Sequence, residues 1–207
     1  MTARTSPAAW ARTSIILDGT FQNSIGTGLT LTPWSDWTNA GISREAAPSH
    51  LAGNAAVLPM YSDLFQRFVG PDPGMYRLSF WAQNASPNRA QLVTAVHNPF
   101  GGWGWVSVLK VIDFEASSDF IEFQFDFEIT NPAGTPSEFY FSNSYNSPDP
   151  AWGLENSVNP AGTVFKVARV SIARVPEPTP VPEPGGAALW LLATAVGALA
   201  YGRRRLA

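Results

Sequence analysis

Five of the eight tryptophans, Trp34, Trp37, Trp103, Trp105 and Trp152, lie in or beside segments of turn composition, with Phe100 and Tyr145 close by. An indole ring joins a flat apolar face to a polar edge, which suits the C–H faces of a pyranose. The sugar's hydroxyls then need amide and carboxylate partners, and Asn98, Asn143, Asn146 and Asp149 are of that type. Trp103 and Trp105 are two apart, so on a strand both rings point to one side. The same tryptophans can also close the core and the ends of a β-domain. Exposure of Trp103 and Trp105 together would favour a binding face, because exposed aromatic patches mark interfaces.

Catalytic constellations are sparse by comparison. Asp113 and Glu115 form a close acidic pair, but strand parity puts both on a wet face, where carboxylates usually serve solvation. His50 and His97 are far apart and have no neighbouring serine or H-x-H spacing. There is no G-x-S-x-G, no phosphate loop and no metal cluster, so neither an enzyme nor a cofactor is expected. A two-carboxylate glycosidase stays open as a third reading, since its acids need only meet in space. The chain has no cysteine, which removes disulfides and thiolate metal sites. Thirteen basic and 16 acidic residues give a charge of −3, and an acidic body excludes a nucleic-acid partner.

The elements that must position such residues read as strands. Ile121-Glu-Phe-Gln-Phe-Asp-Phe-Glu-Ile129 alternates strictly, with Ile121, Phe123, Phe125, Phe127 and Ile129 on the buried side. Ser14–Gln22, Ser62–Val69, Met75–Asn84, Ala90–His97, Trp103–Phe114, Glu138–Ser142 and Thr163–Ala173 are further predicted strands. Gly70–Gly74, Ser86-Pro-Asn88, Asn98-Pro99 with Gly101-Gly102, and Asn131–Gly134 supply the turns. In the last strand the apolar parity switches between Phe165, Val167 and Val170, Ile172, which predicts a β-bulge near Ala168 and Arg169. About eight strands with these turns predict an all-β antiparallel sandwich, a jelly roll, over residues 14–175. Residues 1–13 read as a leader remnant or disordered segment. Arg4 and Arg12 flank apolar stretches too short for a signal peptide, so an export signal is expected upstream; the alternative is a protein that is not exported.

The C-terminus has a different composition. Pro176–Gly186 is a semi-rigid Pro-rich stalk that holds Val175-Pro-Glu-Pro178 and Val181-Pro182-Glu183-Pro184. The 18 uncharged residues Gly185–Gly202 would span roughly 27 Å as a helix, near the lower limit for crossing a bilayer. Arg203, Arg204 and Arg205 then form a stop-transfer cluster that should stay on the cytoplasmic side. The prolines keep the Pro-Glu-Pro element extended and out of the helix, and Glu183 holds it at the interface. Residues 187–207 are thus predicted to be a transmembrane helix with a basic tail. These three features in order, residues 181–207, resemble the PEP-CTERM sorting signal of exported proteins in Gram-negative, exopolysaccharide-making bacteria. The resemblance implies transient anchoring in the inner membrane, then processing at Pro182, Glu183 and Pro184 by an exosortase-like enzyme. Delivery to the cell surface or extracellular matrix follows. An ordinary membrane anchor on a Pro-rich stalk is the plainer alternative.

A second resemblance attaches to the body. Leu17-Asp-Gly-Thr-Phe-Gln22, Trp34-Ser-Asp-Trp37, Phe65-Gln-Arg-Phe68, Gly70–Gly74 and Tyr76-Arg-Leu-Ser-Phe-Trp81 are similar to segments of jelly-roll carbohydrate-binding modules. That resemblance implies a sandwich that often holds calcium between its first and last strands. Here Gln22 stands where a glutamate is usual and Thr163–Ile172 has no aspartate. A hard cation wants anionic oxygens, so no metal is expected at that place. The tail makes an exported surface or matrix protein with a structural or adhesive body the leading expectation. The alternative is a lectin-like module that binds polysaccharide through Trp34, Trp37, Trp103, Trp105 and Trp152.

Overall fold

The alternating segment Ile121–Ile129 forms the strand its pattern predicts, one of eleven among the described residues of a computed structural model. Those residues are 14–27, 33–97, 106–130, 132–143 and 159–176. In chain order the strands are β1 Gly26–Thr27, β2 Ser35–Asp36, β3 Ser43–Ala46, β4 Asn54–Pro59, β5 Asp63–Val69 and β6 Gly74–Asn84. They continue with β7 Ala90–His97, β8 Val106–Phe114, β9 Ile121–Ile129, β10 Pro136–Ser142 and β11 Val164–Arg174. One sheet has the order β1-β2-β5-β10-β7-β8 and the other β3-β4-β11-β6-β9. Among these strands every pairing is antiparallel except the short β1–β2 contact.

The two sheets meet through aromatic side chains. Phe80 on β6 lies 4.9 Å from Phe141 on β10, and Phe114 on β8 lies 4.9 Å from Phe123 and 5.4 Å from Phe165. Leu58, Leu64, Leu78, Leu92 and Ile172 fill the space around them with no exposed surface. Each such side chain contributes roughly 1.5–3 kcal/mol by leaving water. On β9, Phe123, Phe125 and Phe127 pack against this core while Glu122, Gln124, Asp126 and Glu128 stay in solvent. The strand lies at an edge, so its ring faces are only half covered.

The predicted bulge is present. Between Ala168 and Ser171 the register of β11 against β6 shifts, so that Arg169 and Val170 face the single residue Phe80. Arg169 adopts φ 51° there. The extra residue restores parity, which lets Phe165, Val167, Val170 and Ile172 all point into the core.

Ser14–Gln22 is not the strand expected of it. It makes one isolated bridge, Ser14 to Ala173, and then crosses between the sheets. The buried Gln66 side chain clamps Leu17, accepting from its N–H and donating to its carbonyl, both at 2.6 Å. Asp18 and Phe21 have φ of 53° and 51°, outside strand geometry. The Asp18 carboxylate holds the bend by accepting from the Gln22 and Asn23 N–H groups at 2.7 and 2.8 Å. Three consecutive apolar residues, Ile15, Ile16 and Leu17, do not alternate, and their burial does not either: Ile15 is half-buried, Ile16 buried and Leu17 exposed. Strands β3 and β4 have no counterpart among the predicted segments, because Ser43–Ala46 is polar and Asn54–Pro59 carries a single β-branched residue, Val57.

Buried amides tie the layers together at one end. Asn143 Nδ2 donates to the carbonyls of Leu58 and Thr163 at 2.9 and 3.2 Å. Asn159 Nδ2 donates to Asn143 Oδ1 and Gln91 O, and Asn159 Oδ1 accepts from the Gln91 N–H. Asn143 is therefore a structural residue and not the exposed sugar partner its type suggested. The chain divides into two compact units, Met1–Val175 and Pro176–Ala207. The expected stalk beyond Pro176, the Pro-Glu-Pro element, the membrane helix and the arginine cluster lie outside the described residues, as do residues 1–13. Among the described residues no helix is long and apolar enough to cross a membrane.

Candidate functional site

Strands β5 and β10 carry aromatic residues on both faces. Leu64 and Phe68 on β5, and Phe139 and Phe141 on β10, point into the core. Register places Asp63 opposite Ser142, Phe65 opposite Tyr140 and Arg67 opposite Glu138 on the outer face of the six-stranded sheet. All three pairs are in contact. Ser142 Oγ donates to Asp63 Oδ1 at 2.5 Å. The Phe65 and Tyr140 rings stack at 5.7 Å with an interplanar angle of 25°. Arg67 Nε donates to Glu138 Oε1 at 2.6 Å, and the Tyr140 hydroxyl donates to Glu138 Oε2.

Trp37, just past β2, extends the row. Its ring meets Phe65 edge-on at 5.6 Å and it is 38% exposed. The Arg67 guanidinium lies 5.9 Å from the centre of the Phe65 ring, within cation–π range. On the adjoining strand β7, Val93 and Ala95 fall on the same outer face, in register with Ser142 and Tyr140. Phe65, Val93, Ala95 and Glu138 are nearly inaccessible, yet none belongs to the core cluster between the sheets.

The electrostatics of this platform follow from that burial. Desolvation pushes the Tyr140 phenol well above the ordinary tyrosine range, and its hydrogen bond to Glu138 adds to the effect. The hydroxyl therefore stays protonated and serves as a fixed donor. The Glu138 carboxylate is 3% exposed while its partner Arg67 is 51% exposed. One charge is thus sheltered and its counter-ion reaches into solvent. Trp37 and the half-buried Tyr140 offer a polyhydroxylated ligand apolar surface beside an oriented charge pair whose groups suit hydroxyls, while the buried Phe65 holds the two rings in place.

The tryptophans proposed from sequence separate under this geometry. Trp37 sits on the platform. Trp34, expected as a ligand contact, is 1% exposed and packs among Phe21, Phe139 and Phe141, with its Nε1–H bonded to Asp18 O at 3.0 Å. It closes the core and presents no ring face to a ligand, which corrects the expectation for that residue. Trp103, Trp105 and Trp152 lie outside the described residues. Asp113 and Glu115 are exposed and share Arg89 at 3.5 and 3.7 Å, a solvated arrangement. His50 packs against Trp81 on the opposite sheet.

The place where the resemblance implies calcium is taken by a different cation. Beside Gln22, Arg44 Nη1 donates to the carbonyls of Phe21 and Gln22 at 3.2 and 2.6 Å, and Asn54 Nδ2 donates to Phe21 O at 2.9 Å. A guanidinium already bound to those oxygens repels a divalent ion. Among the described residues no group of three or more acidic or histidine side chains is assembled. These residues do not fit a calcium ion.

No family model matches the sequence, and no curated protein matches it. Solved structures do match. A protein from Bacteroides thetaiotaomicron assigned to sugar binding superposes with a TM-score of 0.54 at 10% identity, covering 78% of this chain and 100% of that one. The CBM22-1 xylan-binding domain of Paenibacillus barcinonensis Xyn10C superposes with a TM-score of 0.51 at 11% identity, covering 80% and 97%. The tandem CBM22 domains of the same enzyme give 0.53 at 12%, over 72% of this chain and 46% of that one. At such identities the likeness concerns the fold, and the body of this chain is an antiparallel sandwich of the jelly-roll type found in carbohydrate-binding modules.

Proposed function

We propose that this chain is a non-catalytic glycan-binding module, exported and held at the cell surface or in an exopolysaccharide matrix. The observation that carries the reading is the outer platform of Trp37, Phe65 and Tyr140 beside the Arg67–Glu138 pair. Trp37 and the half-buried Tyr140 are the rings of this group that reach solvent, backed by the buried Phe65, and exposed aromatic surface marks a binding face. The structures that match the body over nearly their full length include a xylan-binding domain, which supports a polysaccharide as partner. Trp103, Trp105 and Trp152 remain candidate contacts on residue type. A structural or adhesive role in the matrix is compatible with such binding, and the platform favours the binding form of it.

Affinity electrophoresis through gels cast with neutral polysaccharides tests this directly. The protein should be retarded by at least one of them, and Trp37→Ala should abolish most of the retardation while leaving the fold intact. Equal mobility of wild type and variant in every gel that retards the protein would remove the platform from the reading.

We infer that the C-terminal segment brings the module to its destination. Residues 181–207, with Pro182, Glu183 and Pro184 at the processing point and Arg203, Arg204 and Arg205 as the cytoplasmic stop, act as a PEP-CTERM-type signal. The proposed partner is an exosortase-like enzyme in the inner membrane of a Gram-negative bacterium. Replacing Pro182, Glu183 and Pro184 with alanine should leave unprocessed protein in the inner-membrane fraction. Normal maturation of that variant would end the proposal.

A further inference from the structure

We infer that the opposite face of the sandwich holds a second saccharide site, so that one molecule can join two glycan chains. This rests on the glycan-binding reading above and extends it. A groove of about 620 Å³ crosses the outer face of the five-stranded sheet, between the chain following β3 and the turn that leads into β9. That volume falls within the range of small-molecule sites. On the sheet side it is lined by Glu45, Gln83 and Lys166. Next to it the row Glu45–Ala55–Ala168–Trp81 puts two alanines at the centre of the sheet, where Leu51, Trp81 and Phe120 pack against them and give that wall of the groove an apolar backing.

The walls are built and held. Gln83 Nε2 donates to Ser117 O at 3.1 Å, and Ser117 Oγ is bonded to both the N–H and the carbonyl of Asp119 at 3.0 Å. This pins the turn that carries Asp119 and Phe120. Across the groove Lys166 Nζ meets Glu45 Oε1 at 2.6 Å, with the lysine side chain 24% exposed. His50 sits edge-on against Trp81 at 5.8 Å and 73°. Donors and acceptors alternate within this small volume, and two carboxylates face one ammonium and one imidazole. The field therefore favours no highly charged ligand. The arrangement fits a neutral sugar ring, whose hydroxyls both donate and accept, seated beside Phe120.

The consequence is bivalency. The platform and the groove lie on opposite faces of one rigid sandwich, so the two cannot grip the same short stretch of one chain. Two modest sites on one body raise avidity toward a dense polymer well above that of either alone. A module of this kind cross-links a matrix as well as binding to it.

Protein-detected NMR of the full chain, titrated with xylotetraose and cellotetraose as neutral probes, separates the possibilities. The expected result is two independent sets of shifted resonances, one at Trp37, Phe65 and Tyr140 and one at Trp81, Gln83 and Phe120. Ser118→Arg fills the groove from an exposed turn position, and Gln83→Leu removes a polar group from its floor. Each should weaken the groove set at least about tenfold and leave the platform set unchanged. Shifts at the platform alone overturn the second site while the first reading stands. Shifts at neither face overturn both, and shifts at the groove alone overturn bivalency together with the platform. Precipitation of xylan by the wild type that persists unchanged in Ser118→Arg would also count against the inference.

Discussion

Replacing Gly19 with alanine is expected to destabilise the fold by at least about 3 kcal/mol, a large share of a total that is typically about 5–15 kcal/mol. A Cβ at this position would lie 1.9 Å from the carbonyl oxygen of Val170. The obstacle is backbone, and it cannot rotate away. Gly19 O also accepts from the Val170 N–H at 2.8 Å, so the two chains are tied where the added methyl would force them apart. Val170 belongs to the bulge of β11, and any retreat of that strand would drag Val170 and Ile172 out of the core. Gly41 supplies the contrast. It has φ 88°, and a methyl added there would meet no atom within 4 Å, so Gly41→Ala should cost only about 1 kcal/mol of backbone strain. Urea unfolding of the two variants measures the difference. A Gly19→Ala midpoint no lower than that of Gly41→Ala would show that the contact between the opening segment and the bulge yields easily.

The same bulge shows which parts of the fold are legible in sequence. Parity is a local property, and the switch from Phe165 and Val167 to Val170 and Ile172 announces the extra residue within two positions of where it lies. Strand β9 is legible for the same reason, since nine alternating residues admit no other period. The platform is not legible, and its residues show why. Phe65 and Tyr140 look like core residues in sequence, and only the register of β5 against β10 sends them outward as a stacked pair. Arg67 and Glu138 are 71 positions apart, and no local pattern links them. One signal does exist. Glu138-Phe-Tyr-Phe-Ser142 carries consecutive aromatic residues, which a strand can accommodate only if both of its faces are covered. Trp34 misleads in the opposite sense. Turn composition around it suggests a surface loop, but β2 begins at the next residue and turns the indole inward.

The charge pair of the platform should respond asymmetrically to removal of its two members. Arg67 is half exposed and can hydrate its guanidinium if Glu138 is changed, so Glu138→Gln should cost about 1 kcal/mol. Glu138 is nearly inaccessible. Without Arg67 its carboxylate keeps the Tyr140 hydroxyl but loses the Arg67 guanidinium in a sheltered environment, and Arg67→Ala should cost about 3 kcal/mol. Binding should not follow this order. Both changes break the polar edge that orients a sugar against the Trp37 and Tyr140 rings, so each should weaken glycan retention at least about tenfold. The double variant Arg67→Met with Glu138→Leu then separates the two roles. Replacing a sheltered pair with apolar side chains of similar size is often neutral or stabilising, so the double variant should unfold at a urea concentration above that of Arg67→Ala. Its glycan binding should remain lost. A double variant that regains both stability and binding would show that binding does not need the pair; recovered stability without binding would place the pair in the recognition surface, because the fold would then stand without it while the ligand would not be held.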